Sequence, residues 1–107
     1  MTLKEFSITA SGQASAGAVA FRVTNAGTMI HEFDIYKSSL PIDKLSLDSS
    51  QQVDEGSPQV ETIEASEPIA AGTTVNIVAT LKAGHYYLVC NQPGHYALGM
   101  RLDFVVG

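Results

Sequence analysis

Apolar and polar residues alternate along most of this chain with a period of two, the spacing that sends successive strand side chains to opposite faces. Val19, Phe21 and Val23 alternate with Ala20, Arg22 and Thr24, predicting a strand over residues 18–24 with the first set inward. Val75, Ile77, Ala79 and Leu81 predict another over residues 75–81. Met29, His31, Phe33 and Ile35 share one face of a run from 29 to 36. Residues 3–9 read as a strand carrying Leu3, Phe6 and Ile8, closed by the turn-like Ala10-Ser11-Gly12. Residues 85–90 put Tyr86, Leu88 and Cys90 on one face, and residues 102–106 form the last strand.

Between Tyr36 and Thr73 the alternation lapses. Ser38-Ser39-Leu40-Pro41, Asp48-Ser49-Ser50 and Glu55-Gly56-Ser57-Pro58 are turn or loop signals. Residues 41–47 predict a short helix after Pro41, with Ile42, Leu45 and Leu47 on its apolar side. Residues 59–65, including Val60, predict an extended piece. A connection this long is uncommon unless it is functional or locally folded, so the 38–72 segment is expected to form a strap over one edge of the sheets. Six or seven short strands with turn signals predict an all-β, Greek-key, two-sheet β-sandwich. Leu81-Lys82-Ala83-Gly84-His85-Tyr86 fits a tyrosine corner, in which the Tyr86 hydroxyl ties back to nearby backbone. At 107 residues the chain fits a single domain spanning 1–107.

Charge narrows the classes of partner. The net charge is −5 and the six basic residues are scattered, so nucleic acid is not an expected partner. Asp43, Asp48, Asp54, Glu55, Glu61, Glu64 and Glu67 fall mostly in the long connection and read as a solvated acidic surface. No apolar run approaches the roughly 20 residues of a membrane-spanning helix. No basic-then-apolar leader precedes the first strand. The expectation is a soluble periplasmic or extracellular domain, trimmed from a longer exported or membrane-anchored precursor.

The chemistry concentrates in Cys90-Asn91-Gln92-Pro93-Gly94-His95-Tyr96-Ala97-Leu98-Gly99-Met100. A thiol, an imidazole and a thioether recur five residues apart, and Pro93-Gly94 turns the chain so that they can converge. Taken singly, each has a plainer reading: Cys90 as a small buried hydrophobe, His95 as a polar loop residue, Met100 as core filler. Together these soft and borderline donors suit copper in both Cu(I) and Cu(II) states. Such a site needs another histidine. His85 is one step out of phase with Cys90 and faces away, which leaves His31. His95 is expected near the surface with its ring edge toward solvent. Met29 shares the face of His31 and is read as core, with a place lining the site as the alternative.

Asn25-x-Gly27-x-x-x-His31-x-Phe33 and Gly84-x-Tyr86-x-x-x-Cys90-x-x-Pro93-Gly94-His95-x-x-x-x-Met100 resemble the cupredoxin family of blue copper proteins. The Cys90-to-His95 gap is similar to that of azurin, and the longer His95-to-Met100 gap to those of rusticyanin and sulfocyanin. The resemblance implies one copper ion held by His31, Cys90 and His95 as equatorial ligands and Met100 as the axial one. It also implies a monomeric, non-enzymatic electron carrier that cycles Cu(I)/Cu(II) and docks a redox protein near His95. Leu98, Pro93, Ala97 and Met29 would form the apolar docking patch. Glu32 stands where relatives usually carry Asn, whose side chain pins the ligand loops. Its backbone N–H is still expected to reach the Cys90 sulfur. A copper carrier or chaperone using the same residues is the main alternative. A Cys–His nucleophilic enzyme and a metal-free sandwich are the others.

Overall fold

The computed structural model describes residues 1–10 and 14–107. Among the described residues the strands are Thr2–Lys4 (β1), Ser7–Thr9 (β2), Gly17–Asn25 (β3), Asp34–Lys37 (β4), Glu61–Ala65 (β5), Thr74–Leu81 (β6), Gly84–Val89 (β7) and Arg101–Val106 (β8). They form two sheets of order β2-β1-β3-β6 and β5-β4-β7-β8. The chain crosses between sheets from β3 to β4, β5 to β6 and β6 to β7, so the fold is the expected Greek-key sandwich.

The period-two pattern sets the core. Phe21, Val23, Phe33, Ile35, Leu81, Tyr86, Leu88, Cys90 and Met100 meet between the sheets, with Val75 and Ile77 packed at the margin. Each large apolar side chain buried here contributes about 1.5–3 kcal/mol, and the two faces interdigitate as a close-packed layer. The tyrosine corner is present: the Tyr86 hydroxyl donates to the Lys82 carbonyl at 2.7 Å. His85 is exposed on the opposite side of β7 from Cys90.

Four expectations are corrected. The single strand over 3–9 is a hairpin, with Leu3 opposite Ile8 and Glu5-Phe6 at its tip. Its apolar residues change parity between Leu3 and Phe6, which a two-residue turn accommodates and a continuous strand does not. Ser11 and Gly12 of the turn expected next lie outside the described residues. The run from 29 to 36 is regular strand only from Asp34, and His31 pairs alone with Ile69 as an isolated bridge.

The helix expected over 41–47 is one 3-10 turn, Ile42–Lys44. Leu45 is already extended at ψ 145°, and its N–H donates to the Tyr96 hydroxyl at 3.1 Å instead of continuing a helix. The 38–72 segment does more than strap an edge. It supplies β5 as the edge strand and lays Leu45, Val53 and Val60 over Tyr36, Val89 and Tyr96 on the outer face of the second sheet. Tyr36 and Val89 point away from the central core, so without this cover they would face water.

That segment also grips the loop that follows β7. Asn91, nearly fully buried, accepts from Val53 N at 2.6 Å and donates to Val53 O at 3.1 Å. Gln52 Nε2 donates to Asn91 O at 2.7 Å, Gly94 N donates to Gln51 O at 3.0 Å, and the Tyr96 hydroxyl donates to Ile42 O. Replacing Asn91 by Ala strands both backbone polar groups of Val53 in a buried setting. The expected cost is about 2–4 kcal/mol, read as a lowered urea midpoint. Asn91→Asp turns an oxygen toward the Val53 carbonyl and is expected to destabilise as well.

Candidate metal centre

Each donor-bearing residue is positioned by backbone that leaves little freedom. His31 exchanges both main-chain hydrogen bonds with Ile69, at 3.2 and 2.8 Å. The buried Asn25 side chain donates to Ile69 O and Met29 O at 2.9 Å and accepts from Gly27 N at 3.0 Å, stitching the 26–30 loop to that bridge. Cys90 is the first residue beyond β7. Its N–H donates to Met100 O, and Met100 N donates to His95 O, both at 3.1 Å, so the 90–100 loop closes on itself. Gly94 makes the reversal at φ +81°, a conformation glycine adopts without strain.

The loops bring three atoms together. His31 Nδ1 lies 3.2 Å from His95 Nδ1, and Cys90 Sγ lies 3.6 and 3.5 Å from those two nitrogens. A point equidistant from the three sits about 2.0 Å from each, the circumradius of that triangle. Nitrogen and thiolate ligands hold a zinc ion at about 2.0–2.3 Å, so a transition-metal ion of similar size fits between these atoms. His31 and Cys90 have no solvent exposure, and His95 has 5%. Met100, also fully buried, packs in the same apolar cluster as Cys90. Two imidazole nitrogens and a cysteine sulfur gathered away from water match copper's preferences.

The surroundings differ from expectation in two respects. His95 is buried, because Phe6 at the tip of the β1–β2 hairpin packs edge-on to its ring with centroids 5.2 Å apart. Met29 is not core: it is 44% exposed, in the bend at 27–29 that precedes the His31–Ile69 bridge. Glu32 behaves as expected through its backbone, donating N–H to Cys90 Sγ at 3.3 Å. Its side chain also links the loops, accepting from Gln92 Nε2 at 2.8 Å. Phe6, Gln92 and Glu5, whose carboxylate meets His31, carry no signal in a local sequence pattern. They reach the site through tertiary folding alone.

Burial pushes the Cys90 thiol up to about 11, against the N–H groups of Glu32 and Gln92, which favour the thiolate. Burial, and then the neighbouring His31, hold His95 below the ordinary histidine range. The Cys90 thiol therefore keeps its proton at neutral pH in the metal-free site, and an incoming ion must displace it. Asp34 lies fully buried on β4, and neither carboxyl oxygen has a hydrogen-bond partner among the described residues. Burial first, and then the Glu32 carboxylate, push it up to about 9, so it is a neutral acid at pH 7.

The two-sheet fold and its two-histidine, one-cysteine cluster are those of a cupredoxin. The sequence matches the sulfocyanin (SoxE) domain over residues 6–107, and the chain belongs to that family. Copper, one ion, is the family's cofactor, and His31, Cys90 and His95 are positioned as ligands. The fold is similar to that of reduced auracyanin from Roseiflexus castenholzii, 20% identical, over 97% of this chain and 90% of that one, at a TM-score of 0.66. It is also similar to rusticyanin from Thiobacillus ferrooxidans, 25% identical, at a TM-score of 0.59. That match covers 89% of this chain and 59% of rusticyanin, so the chain spans about three fifths of rusticyanin's length. No curated protein matches the sequence. No described helix is long and apolar enough to cross a membrane.

Asp34 generates a pH dependence with a definite sign. Below about pH 4 the folded and unfolded chains both hold its proton. Between there and about pH 9 only the folded chain keeps it, so stability falls as pH rises. The slope contributed approaches about 1.4 kcal/mol per pH unit. Asp34→Asn, a neutral isostere, is expected to remove that slope. Its urea midpoint should exceed wild type at pH 8 by more than at pH 4.

Proposed function

We propose that residues 1–107 act as one unit that shuttles single electrons between redox proteins, and that His31, Cys90, His95 and Met100 would hold the copper ion. The observation that carries this reading is the triangle of two Nδ1 atoms and one Sγ, all sharing a single ion-sized centre out of reach of water. Bound copper supplies a one-electron couple between Cu(I) and Cu(II). The protein's part is to hold donors where neither state demands much movement. Backbone bonds from Cys90 to Met100 and from Met100 to His95, and the His31–Ile69 bridge, do that.

Several features support a carrier of electrons over a carrier of copper or an enzyme. A donor set with no exposed sulfur is poorly placed to hand an ion to a partner by ligand exchange. The same burial keeps substrate from a Cys90–His95 nucleophilic pair. Pro93, Ala97 and Leu98 are exposed in the loop over His95, and Met29 and Ile30 are exposed just before His31. Exposed apolar side chains beside both ligand-bearing segments suit brief docking of a redox protein. A periplasmic or extracellular setting agrees with the family's usual location.

Cu(II) titration tests this directly. Wild type is expected to develop an intense visible thiolate-to-Cu(II) band that bleaches on reduction and returns on oxidation. Cys90→Ser should lose the band, His31→Ala should lose or alter it, and Met100→Leu should keep colour at a changed potential. A wild-type chain that binds only Cu(I) and stays colourless favours the copper-carrier reading.

A further inference from the structure

The tip of the β1–β2 hairpin reaches across the sandwich to the site, and its carboxylate has three partners. Glu5 Oε1 accepts from Thr28 N and Met29 N, both at 2.7 Å, and stands 3.2 Å from His31 Nε2. Gly27 makes room for it, since a Cβ there would lie 2.4 Å from that same oxygen. Phe6, the next residue of the turn, covers His95. One two-residue tip therefore touches both histidines.

We propose that Glu5 is the positioning residue of the metal centre, fixing His31 in the Nε2–H tautomer and aiming its Nδ1 lone pair at the ion. The inference rests on His31 being a ligand. An oxygen that already accepts two backbone N–H bonds acts as an acceptor, so the hydrogen between it and Nε2 belongs to the imidazole. That leaves Nδ1 unprotonated, facing Cys90 Sγ and His95 Nδ1. A carboxylate on the far nitrogen of a ligating imidazole also raises its basicity, and its negative charge favours the more positive oxidation state of the ion. The turn that bears Glu5 is anchored independently of the ligand loop: Leu3 is fully buried, and Ala26 N donates to Leu3 O at 2.8 Å.

Nitrogen-15 NMR of the metal-free wild-type chain decides the first half, with no variant required. His31 is expected as the Nε2–H tautomer, and finding Nδ1–H overturns the proposal. For the second half, Glu5→Gln keeps an acceptor oxygen and removes the charge, whereas Glu5→Ala removes both. Changing such a partner typically costs 10- to 100-fold in metal affinity. Glu5→Gln is expected to weaken Cu(II) about tenfold relative to Cu(I), read as a rise in reduction potential of about 59 mV for a one-electron couple. Glu5→Ala should add mixing of His31 tautomers in the metal-free protein. If both variants lose only folding stability, with potential and His31 nitrogen shifts unchanged, Glu5 is a hairpin staple and the proposal is wrong. A wild-type chain that takes up no copper refutes the ligand assignment, and the tautomer measurement still decides the part Glu5 plays.

Discussion

Everything in this protein depends on holding three electron-rich atoms in one place before anything stands between them. Two imidazole nitrogens 3.2 Å apart, each about 3.5 Å from a sulfur, offer more lone pairs than there are protons to bridge them. Where the nitrogens are unprotonated their lone pairs repel, and burial strengthens the repulsion by lowering the local dielectric. The arrangement persists because each donor hangs on backbone whose own hydrogen bonds are made elsewhere. His31 is tied to Ile69, Cys90 to Met100, and Met100 to His95. The remaining stabilisation comes from apolar packing, which Cys90 and Met100 join in the core and Phe6 extends over His95.

This explains why the second sheet is covered on both faces near β4 and β7. The inner face joins the sandwich core, and the outer face lies under Leu45, Val53 and Val60. A ligand loop resting on a one-sided sheet would be free to lift on the solvent side. Here Asn91 and Tyr96 on that loop are gripped by Val53, Ile42 and Leu45 from the covering segment. The long connection between β4 and β6 thus works as the outer jaw of a clamp. The β1–β2 hairpin tip closes the same site from the other sheet.

Much of this was legible in the residues themselves. Alternation located β3, β6, β7 and β8 because each has one face in the core, so the period of two survives. The tyrosine corner and the spacing from Cys90 to Met100 were legible for the same reason: their partners are local in sequence. The rest was not, because its partners are distant. The hairpin at Glu5-Phe6 showed only as a parity change, with nothing to say which end of the sandwich it would reach. His95 reads as a surface residue until Phe6 is folded over it. The outward-facing Tyr36 and Val89 make sense as strand residues only once Leu45, Val53 and Val60 of the long connection have come back to cover them.

The charges around the site pull in opposite directions, and the balance is a property of the fold. A thiolate with a cuprous ion is neutral overall, whereas with a cupric ion it carries one positive charge, so burial by itself favours the reduced state. Glu5 against His31 and Glu32 beside Cys90 work the other way, since a nearby carboxylate stabilises added positive charge. Asp34 would add a third negative charge, but burial among carboxylates keeps it protonated at neutral pH. The Glu32 backbone N–H on the sulfur withdraws electron density and again favours the reduced state. Glu32 thus acts in both senses through two different atoms, and its side-chain charge is held in place by Gln92. A chain with Asn at this position would keep the N–H bond and lose the charge, so its electrons would sit lower in energy at an otherwise identical set of ligands.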